Sequence, residues 1–388
     1  MNDPWTFDSR PVIALLQEAV SIESVNPGLP GGSRGEEGMV AFIQRFFSEC
    51  GIDTETDEVL PGRCNIVATL PGRDRSRALL FESHMDTASA EMMTIPPFEP
   101  HVRDGKLYGR GACDTKAGGA AMMLALRELK EEGCVPPCDI QFAGVADEEK
   151  GLAGASRLAS ATRANAVVVS EPTDLRVVRA HNGVCRLTLR VEGVSAHSSK
   201  PQLGVNAIVK AAGLIQRIET EMAPSVFSKT HPLTGGAALN IGVIRGGTQV
   251  NIVPHECVVE IDRRLIPGEN AEEAEAPLRA LVKEAARLDP DLRADLEPPF
   301  MMMEPFETAE ESQIVQAAQS AREETLGRAE TAGVPFGTDA SKYAAAGIPA
   351  VVLGPGSIDQ AHAAVEWVDC AQVEAAVNIY KTTAMRFR

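Results

Sequence analysis

Near the start of the chain apolar residues recur at helical spacing, first Val12, Leu15, Leu16 and Ala19, then Met39, Phe42, Ile43 and Phe46. This predicts two amphipathic helices separated by a polar, Pro/Gly-rich loop from Asn26 to Gly35. Short apolar runs at 65–70, 78–81, 140–145, 166–169 and 350–353 are bounded by Gly, Pro or charged residues and read as buried strands. Between two of them, Met122, Ala125, Leu126 and Leu129 mark a helix from about Lys116 to Glu132. Strands alternating with helices imply an α/β domain whose largely parallel or mixed sheet lies between helices.

The pattern changes near Arg179. Residues 184–191 alternate as a half-buried strand does, Ile208, Ala211, Ala212 and Ile215 mark a helix, and 239–244 and 258–265 give two more strands. A helix through Leu278, Leu281, Val282 and Ala285 and a strand near 292–296 complete a β-α-β-β-α-β unit, a two-layer α+β arrangement. The helix at Ile314, Ala317, Ala318 and Ala321 returns to the first style, so the expected organisation is 1–178 and 297–388 as one domain with 179–296 inserted into it.

Composition narrows the function. A chain of 388 residues exceeds what one hydrophobic core usually organises. Its formal charge of -17, with no Lys/Arg run, argues against nucleic acid or an anionic membrane as partner. The start, Met1-Asn2-Asp3-Pro4-Trp5, has no leader pattern and no apolar run reaches membrane-spanning length, so a cytoplasmic protein is expected. Eight irregularly spaced cysteines read as free thiols, including the close pair Cys134 and Cys138.

Chemistry gathers at strand ends. His84 and Asp86, two residues apart, face one side at the end of a buried strand. Asp114 arrives in a turn just before a helix, where it would ordinarily be no more than an N-cap. Three consecutive acids, Asp147, Glu148 and Glu149, follow another apolar strand, Glu171 follows a third, and His362 comes after the last. The ordinary reading of each piece alone is a satisfied histidine or a solvated acidic turn. Together they converge on the carboxyl edge of one sheet, where α/β proteins bind ligands. This imidazole and carboxylate mixture suits zinc or a similar divalent ion, and a bridging carboxylate can hold two ions about 3.5 Å apart. Two Zn²⁺ would bring four positive charges against the five acids Asp86, Asp114, Glu148, Glu149 and Glu171, which makes their clustering tolerable.

In the motifs Ser83-His84-Met85-Asp86, Gly109-Arg110-Gly111 with Asp114 and Lys116, Asp147-Glu148-Glu149 and Ser170-Glu171-Pro172-Thr173 the chain resembles a known family. That family comprises the zinc-dependent acetylornithine deacetylases, succinyl-diaminopimelate desuccinylases and glutamate carboxypeptidases, and the resemblance runs over essentially the whole length. It implies a zinc-peptidase-like catalytic domain with an inserted ferredoxin-like lid and dimerisation domain. It makes Asp114 the bridge between two zinc ions, His84 and Glu171 the ligands of one, and Glu149 and His362 those of the other, with Co²⁺ or Mn²⁺ as substitutes. Asp86 would orient His84. Glu148 would be the general base that activates a metal-bridging water. The peptide bond from Asp114 to Thr115 is expected to be cis.

By the same resemblance His197 in the lid reaches a neighbouring subunit's site and stabilises the oxyanion. Asn251 and Arg264 fall where the family contacts a substrate carboxylate, with Arg263 replacing Arg264 if the register is off by one. Thr338 and Asp339 belong to a Gly-Thr-containing substrate loop, where Asp339 either reads a substrate amine or caps the following helix. The other four histidines match no ligand position. The lid's free strand edge and helix face predict a homodimer. The expected activity is release of a small acyl group from an N-acyl amino acid, to which Glu171 lends slight support. A carboxypeptidase or dipeptidase with the same metals is the alternative, and a metal-binding protein that has lost catalysis is a third reading, opposed by the retention of Glu148.

Overall fold

The computed structural model describes residues 8–32, 34–328 and 330–388. The chain's first residues, where no leader is expected, lie outside that range. Two compact units are present, one of Met1–Arg179, Thr308–Ala332 and Thr338–Arg388, the other of Ala180–Glu307 and Gly333–Gly337.

In the first unit, strands Cys138–Val145, Asp74–His84, Ala166–Val169 and Ala350–Val352 lie side by side and parallel. Arg63–Leu70 and Thr54–Leu60 add antiparallel strands at one side, and Val178–His181 pairs antiparallel with Ala350–Val352 at the other, so the sheet is mixed. Alternation along the central strand divides its side chains. Leu79 and Phe81 join Ile140, Phe142 and Val168 in a core closed by helices Pro11–Ser21, Glu37–Glu49, Lys116–Glu131, Gln313–Leu326 and Cys370–Arg386. The opposite face is covered by Ala153–Ala161 and Ala340–Ala345. A small separate sheet pairs His101–Arg103, Lys106–Tyr108 and Trp367–Asp369.

The second unit is an antiparallel sheet in the order Ala238–Gly246, Glu256–Leu265, Gly183–Glu192, Arg293–Leu296. Counted along the chain that is second, third, first, fourth, the ferredoxin-like order. Beyond 296, Met301–Met303 pairs with the strand Gly183–Glu192 as well. Helices Ala207–Arg217 and Ala271–Leu288 bury Ala211, Leu214, Leu278 and Val282 against Leu187, Leu189, Val259 and Ile261. The first of them runs on through a wider, π-type turn at Ile218–Met222 before Ala223–Phe227. All eight cysteines are free. Among the described residues no helix is long and apolar enough to cross a membrane.

Candidate metal centre

The four parallel strands end together, and each passes directly into a segment that carries one of the predicted residues. His84 is the last residue of its strand, Glu148 and Glu149 follow Cys138–Val145, Glu171 follows Ala166–Val169, and His362 lies in the loop after Ala350–Val352. Asp114 sits in the loop between Lys106–Tyr108 and the helix Lys116–Glu131, and its bond to Thr115 is cis, as the resemblance implied. Two residues turn the chain sharply here in the left-handed region, Asp147 at φ 71° and His362 at φ 58°.

Two donor sets emerge, His84 with Asp114 and Glu171, and Asp114 with Glu149 and His362, each with its ligand atoms within 4.8 Å of one another. Asp114 divides its carboxylate between them. Oδ1 lies 3.1 Å from His84 Nε2, and Oδ2 lies 3.5 Å from His362 Nε2. His84 Nε2 is 3.8 Å from Glu171 Oε1, and His362 Nε2 is 3.0 Å from Glu149 Oε2. His84 Nδ1 lies 2.9 Å from the Asp86 carbonyl oxygen. A carbonyl can only accept, so Nδ1 carries the proton in the neutral ring and Nε2 presents its lone pair to the donor set.

The Asp86 carboxylate is differently employed from the expectation. Its Oδ1 is 3.7 Å from His84 Nδ1, whereas Oδ1 and Oδ2 accept the backbone N–H groups of Glu148 and Glu149, each at 3.1 Å, and Oδ2 accepts Asn26 Nδ2 at 2.7 Å. Asp86 thus orients His84 through its main chain, while its side chain fixes the turn that presents the two glutamates.

The three consecutive acids separate in role. Asp147 pairs with Arg63 at 2.8 Å and accepts from Asn26, and Arg63 also pairs with buried Glu36. Glu149 turns to His362. Glu148 belongs to neither donor set, and among the described residues its carboxylate has no hydrogen-bond partner. Burial, with Asp339, Glu149 and Asp114 nearby, holds the Glu148 pKa well above the ordinary carboxylate value despite the opposing His84. Glu171 is raised in the same way, by burial and then by Asp114. Burial disfavours a charged His84, but the Asp114 hydrogen bond and the charges of Glu171 and Glu148 outweigh it and hold the ring's pKa well above its usual value. His362 is pushed up to about 10 by its bonds to Asp114 and Glu149. Burial would raise Asp114, yet the two histidines hold it well below the ordinary value. Without a cation, these groups compensate one another by holding protons.

The donor set fits a pair of divalent ions: two imidazoles, three carboxylates, one carboxylate facing both groups, and Glu149 Oε1 buried without a partner among the described residues.

The remaining predicted residues are distributed over both units. In the second unit His197 is exposed and accepts the Ser199 backbone N–H on Nδ1 at 3.1 Å, which leaves Nε2–H as a donor. His197 and Ile252 form an isolated bridge, and Ser198 N donates to Asn251 O at 3.0 Å, so the sheet loop carries Asn251 beside His197. Arg264 lies half-exposed and bonded to Asp262 at 2.8 Å, whereas the buried Arg263 is tied to Glu269 at 2.7 Å. Strand alternation therefore turns Arg263 inward and Arg264 toward solvent. In the first unit Thr338 is buried with its hydroxyl accepting from Ala340 N at 3.2 Å. Asp339 precedes the helix Ala340–Ala345 without capping it, and burial pushes its pKa up to about 7. Residues that the sequence did not single out complete the support: Asn26, Glu36, Arg63 and Glu366, each buried or half-buried and joined to the centre by contacts from distant segments.

The profile of peptidase family M20/M25/M40 matches residues 80–386. An acetylornithine deacetylase of Myxococcus xanthus is 32% identical over 378 residues, covering 93% of both chains. Among solved structures, an aminopeptidase PepT from Bacillus cereus superposes with a TM-score of 0.80 at 24% identity over 98% of this chain and 99% of that one. A dinuclear metal-binding peptidase of Bacillus subtilis superposes at 0.73 with 17% identity over 96% of each chain.

Proposed function

The chain belongs to peptidase family M20/M25/M40, and we propose from that premise that it removes a small acyl group from an N-acyl amino acid with two zinc ions per subunit. It is a metal-dependent hydrolase of amide bonds. The observation that carries the finer reading is the division of Asp114 between two donor sets with Glu148 beside both and inside neither. The similarity to a deacetylase at 32% identity favours an acylated amino acid over a peptide, because the likeness to peptidases at lower identity extends to the fold alone.

His84 and Glu171 would hold one ion, Glu149 and His362 the other, and Asp114 both. When bound, the ions supply Lewis acidity toward the scissile carbonyl and an attacking water. Glu148 would accept a proton from the attacking water and return it to the leaving amine, a role that suits a carboxylate outside both donor sets. Asp86 keeps Glu148 in place through its backbone N–H. His197 Nε2–H would donate to the oxyanion from a second subunit, with Asn251 and Arg264 receiving the substrate carboxylate. The exposed edge strand Ala238–Gly246 would seat that partner.

A panel of N-acetyl and N-succinyl amino acids beside dipeptides, assayed on metal-quantified protein, tests the reading. Turnover of acyl amino acids above dipeptides, abolished by chelation and restored by zinc, is the expected result. A preference for dipeptides would transfer the assignment to the peptidase alternative.

A further inference from the structure

Glu366 is fully buried and accepts four hydrogen bonds from one loop. Its Oε1 takes the backbone N–H groups of Cys113 at 2.8 Å and Asp114 at 3.0 Å, and its Oε2 takes Gly111 N–H at 3.1 Å and the Arg110 guanidinium at 2.6 Å. Arg110 is buried too, and its other arm donates to Ser89 O at 2.8 Å. The carboxylate thereby forms the centre around which the loop 110–114 is wound. Pairing of Trp367 with Tyr108 places Glu366 there, since the strand Lys106–Tyr108 leads into that loop and the strand Trp367–Asp369, beside it, ends the His362 loop.

Glu366 also lies four residues after His362. Every residue from 357 to 365 is exposed or half-buried, so Glu366 is the first buried side chain on that side of His362. One carboxylate thus holds the backbone of Asp114 and the downstream end of the segment that carries His362. We infer that Glu366 is a positioning residue that sets Asp114 and His362 relative to each other, and so governs the affinity of the Asp114, Glu149 and His362 site more than that of the His84, Asp114 and Glu171 site. The asymmetry follows from what else holds each ligand. His84 and Glu171 stand at or next to the ends of central strands, and loss of Glu366 disturbs one ligand of three on their side. On the other side it disturbs two of three.

The inference rests on the two-ion reading above, and metal titration separates the two. Metal-free wild-type protein, Glu366→Gln, Glu366→Asp and the double variant Glu366→Gln/Arg110→Met are titrated with Zn²⁺ and with Co²⁺, following both dissociation constants and the cobalt absorption spectrum. Removing Arg110 together with the charge of Glu366 avoids leaving an unpaired buried cation, so the double variant keeps the test available if Glu366→Gln alone fails to fold. Substitution of a residue that supports a ligand typically costs about 10- to 100-fold in metal affinity. The ion held by Asp114, Glu149 and His362 should lose about that factor in all three variants while the one held by His84, Asp114 and Glu171 stays within about threefold, and kcat should recover at saturating metal. Glu366→Asp keeps the charge but is one methylene too short to reach all four donors. Wild-type affinities in Glu366→Asp would show that charge alone matters and overturn the positioning role, as would equal loss of both ions or no loss. A wild-type chain that takes up only one ion would refute the two-ion reading and this inference with it.

Discussion

Replacing Glu148 with Gln separates proton transfer from metal binding more cleanly than any other single change at this centre. The carboxylate lies in neither donor set and has no hydrogen-bond partner among the described residues, so an amide of the same size should leave both ion affinities within about threefold. Its backbone N–H still reaches Asp86 Oδ1, and the turn that carries Glu149 is unchanged. What disappears is a proton acceptor, and positioned general-base catalysis contributes roughly 10²- to 10⁴-fold. At about 1.4 kcal/mol for each tenfold, the barrier should rise by about 3 to 5 kcal/mol. Glu149→Gln makes the contrast. Glu149 Oε2 is 3.0 Å from His362 Nε2 and Oε1 is buried without a partner among the described residues, so this change should weaken one ion by about 10- to 100-fold and leave a kcat that returns in excess zinc. The assay is steady-state hydrolysis at rising zinc with metal content measured on the same samples, since kcat at saturating metal and substrate reports the chemical step. Near wild-type turnover by zinc-replete Glu148→Gln, or activity loss that follows metal loss, would refute the assignment of Glu148 as base.

Asp114→Asn should lower the affinity for both ions together, because each imidazole faces a different oxygen of that one carboxylate; loss of a single ion in a metal titration would contradict the bridge. Metal-free protein should lose stability toward urea as pH rises from 5 to 8. Burial lifts Asp86 to about 6 and Asp339 to about 7, so the folded state keeps protons that the unfolded chain has released, and their contribution is complete below about 4 and gone above about 7. The zinc-loaded protein should show the reverse over the same range, because binding requires deprotonated ligands; parallel curves would discount the carboxylates as the cause. Mixing inactive His197→Ala with inactive Glu148→Gln should regain activity through hybrid dimers, and demonstrated subunit exchange without recovery would reject a cross-subunit His197.

Much of this protein is readable from short-range pattern. Period-2 runs and 3.6-residue repeats respond to burial on one face or two, and they located the four parallel strands, the helix after Asp114 and the β-α-β-β-α-β order of the second unit, within a few residues at each end. Chemistry at strand ends was equally local, since His84 ends a strand, Glu149 and Glu171 follow strands closely, and Asp114 and His362 lie in loops that the sequence marks. The helix Ala153–Ala161 and the strand Trp367–Asp369 were not anticipated. The first carries few large apolar residues, and the second is only three residues long and owes its place to pairing with Lys106–Tyr108.

Adjacency in the chain says nothing about which way a side chain is taken up. The sequence by itself determined that Asp147, Glu148 and Glu149 arrive together at a sheet edge; only the tertiary structure decided that Arg63 claims the first, His362 the third, and no partner among the described residues the second. Likewise, Asp86 was legible as a neighbour of His84, but its carboxylate closes on backbone amides more than sixty residues away. Glu366 offered no signal, because its four donors lie more than 250 residues earlier and meet it only once two loops are brought side by side. A local pattern is written by burial periodicity, which each segment satisfies alone. Hydrogen bonds and charge pairs of a buried polar centre are satisfied only between segments, so their partners exist only after folding.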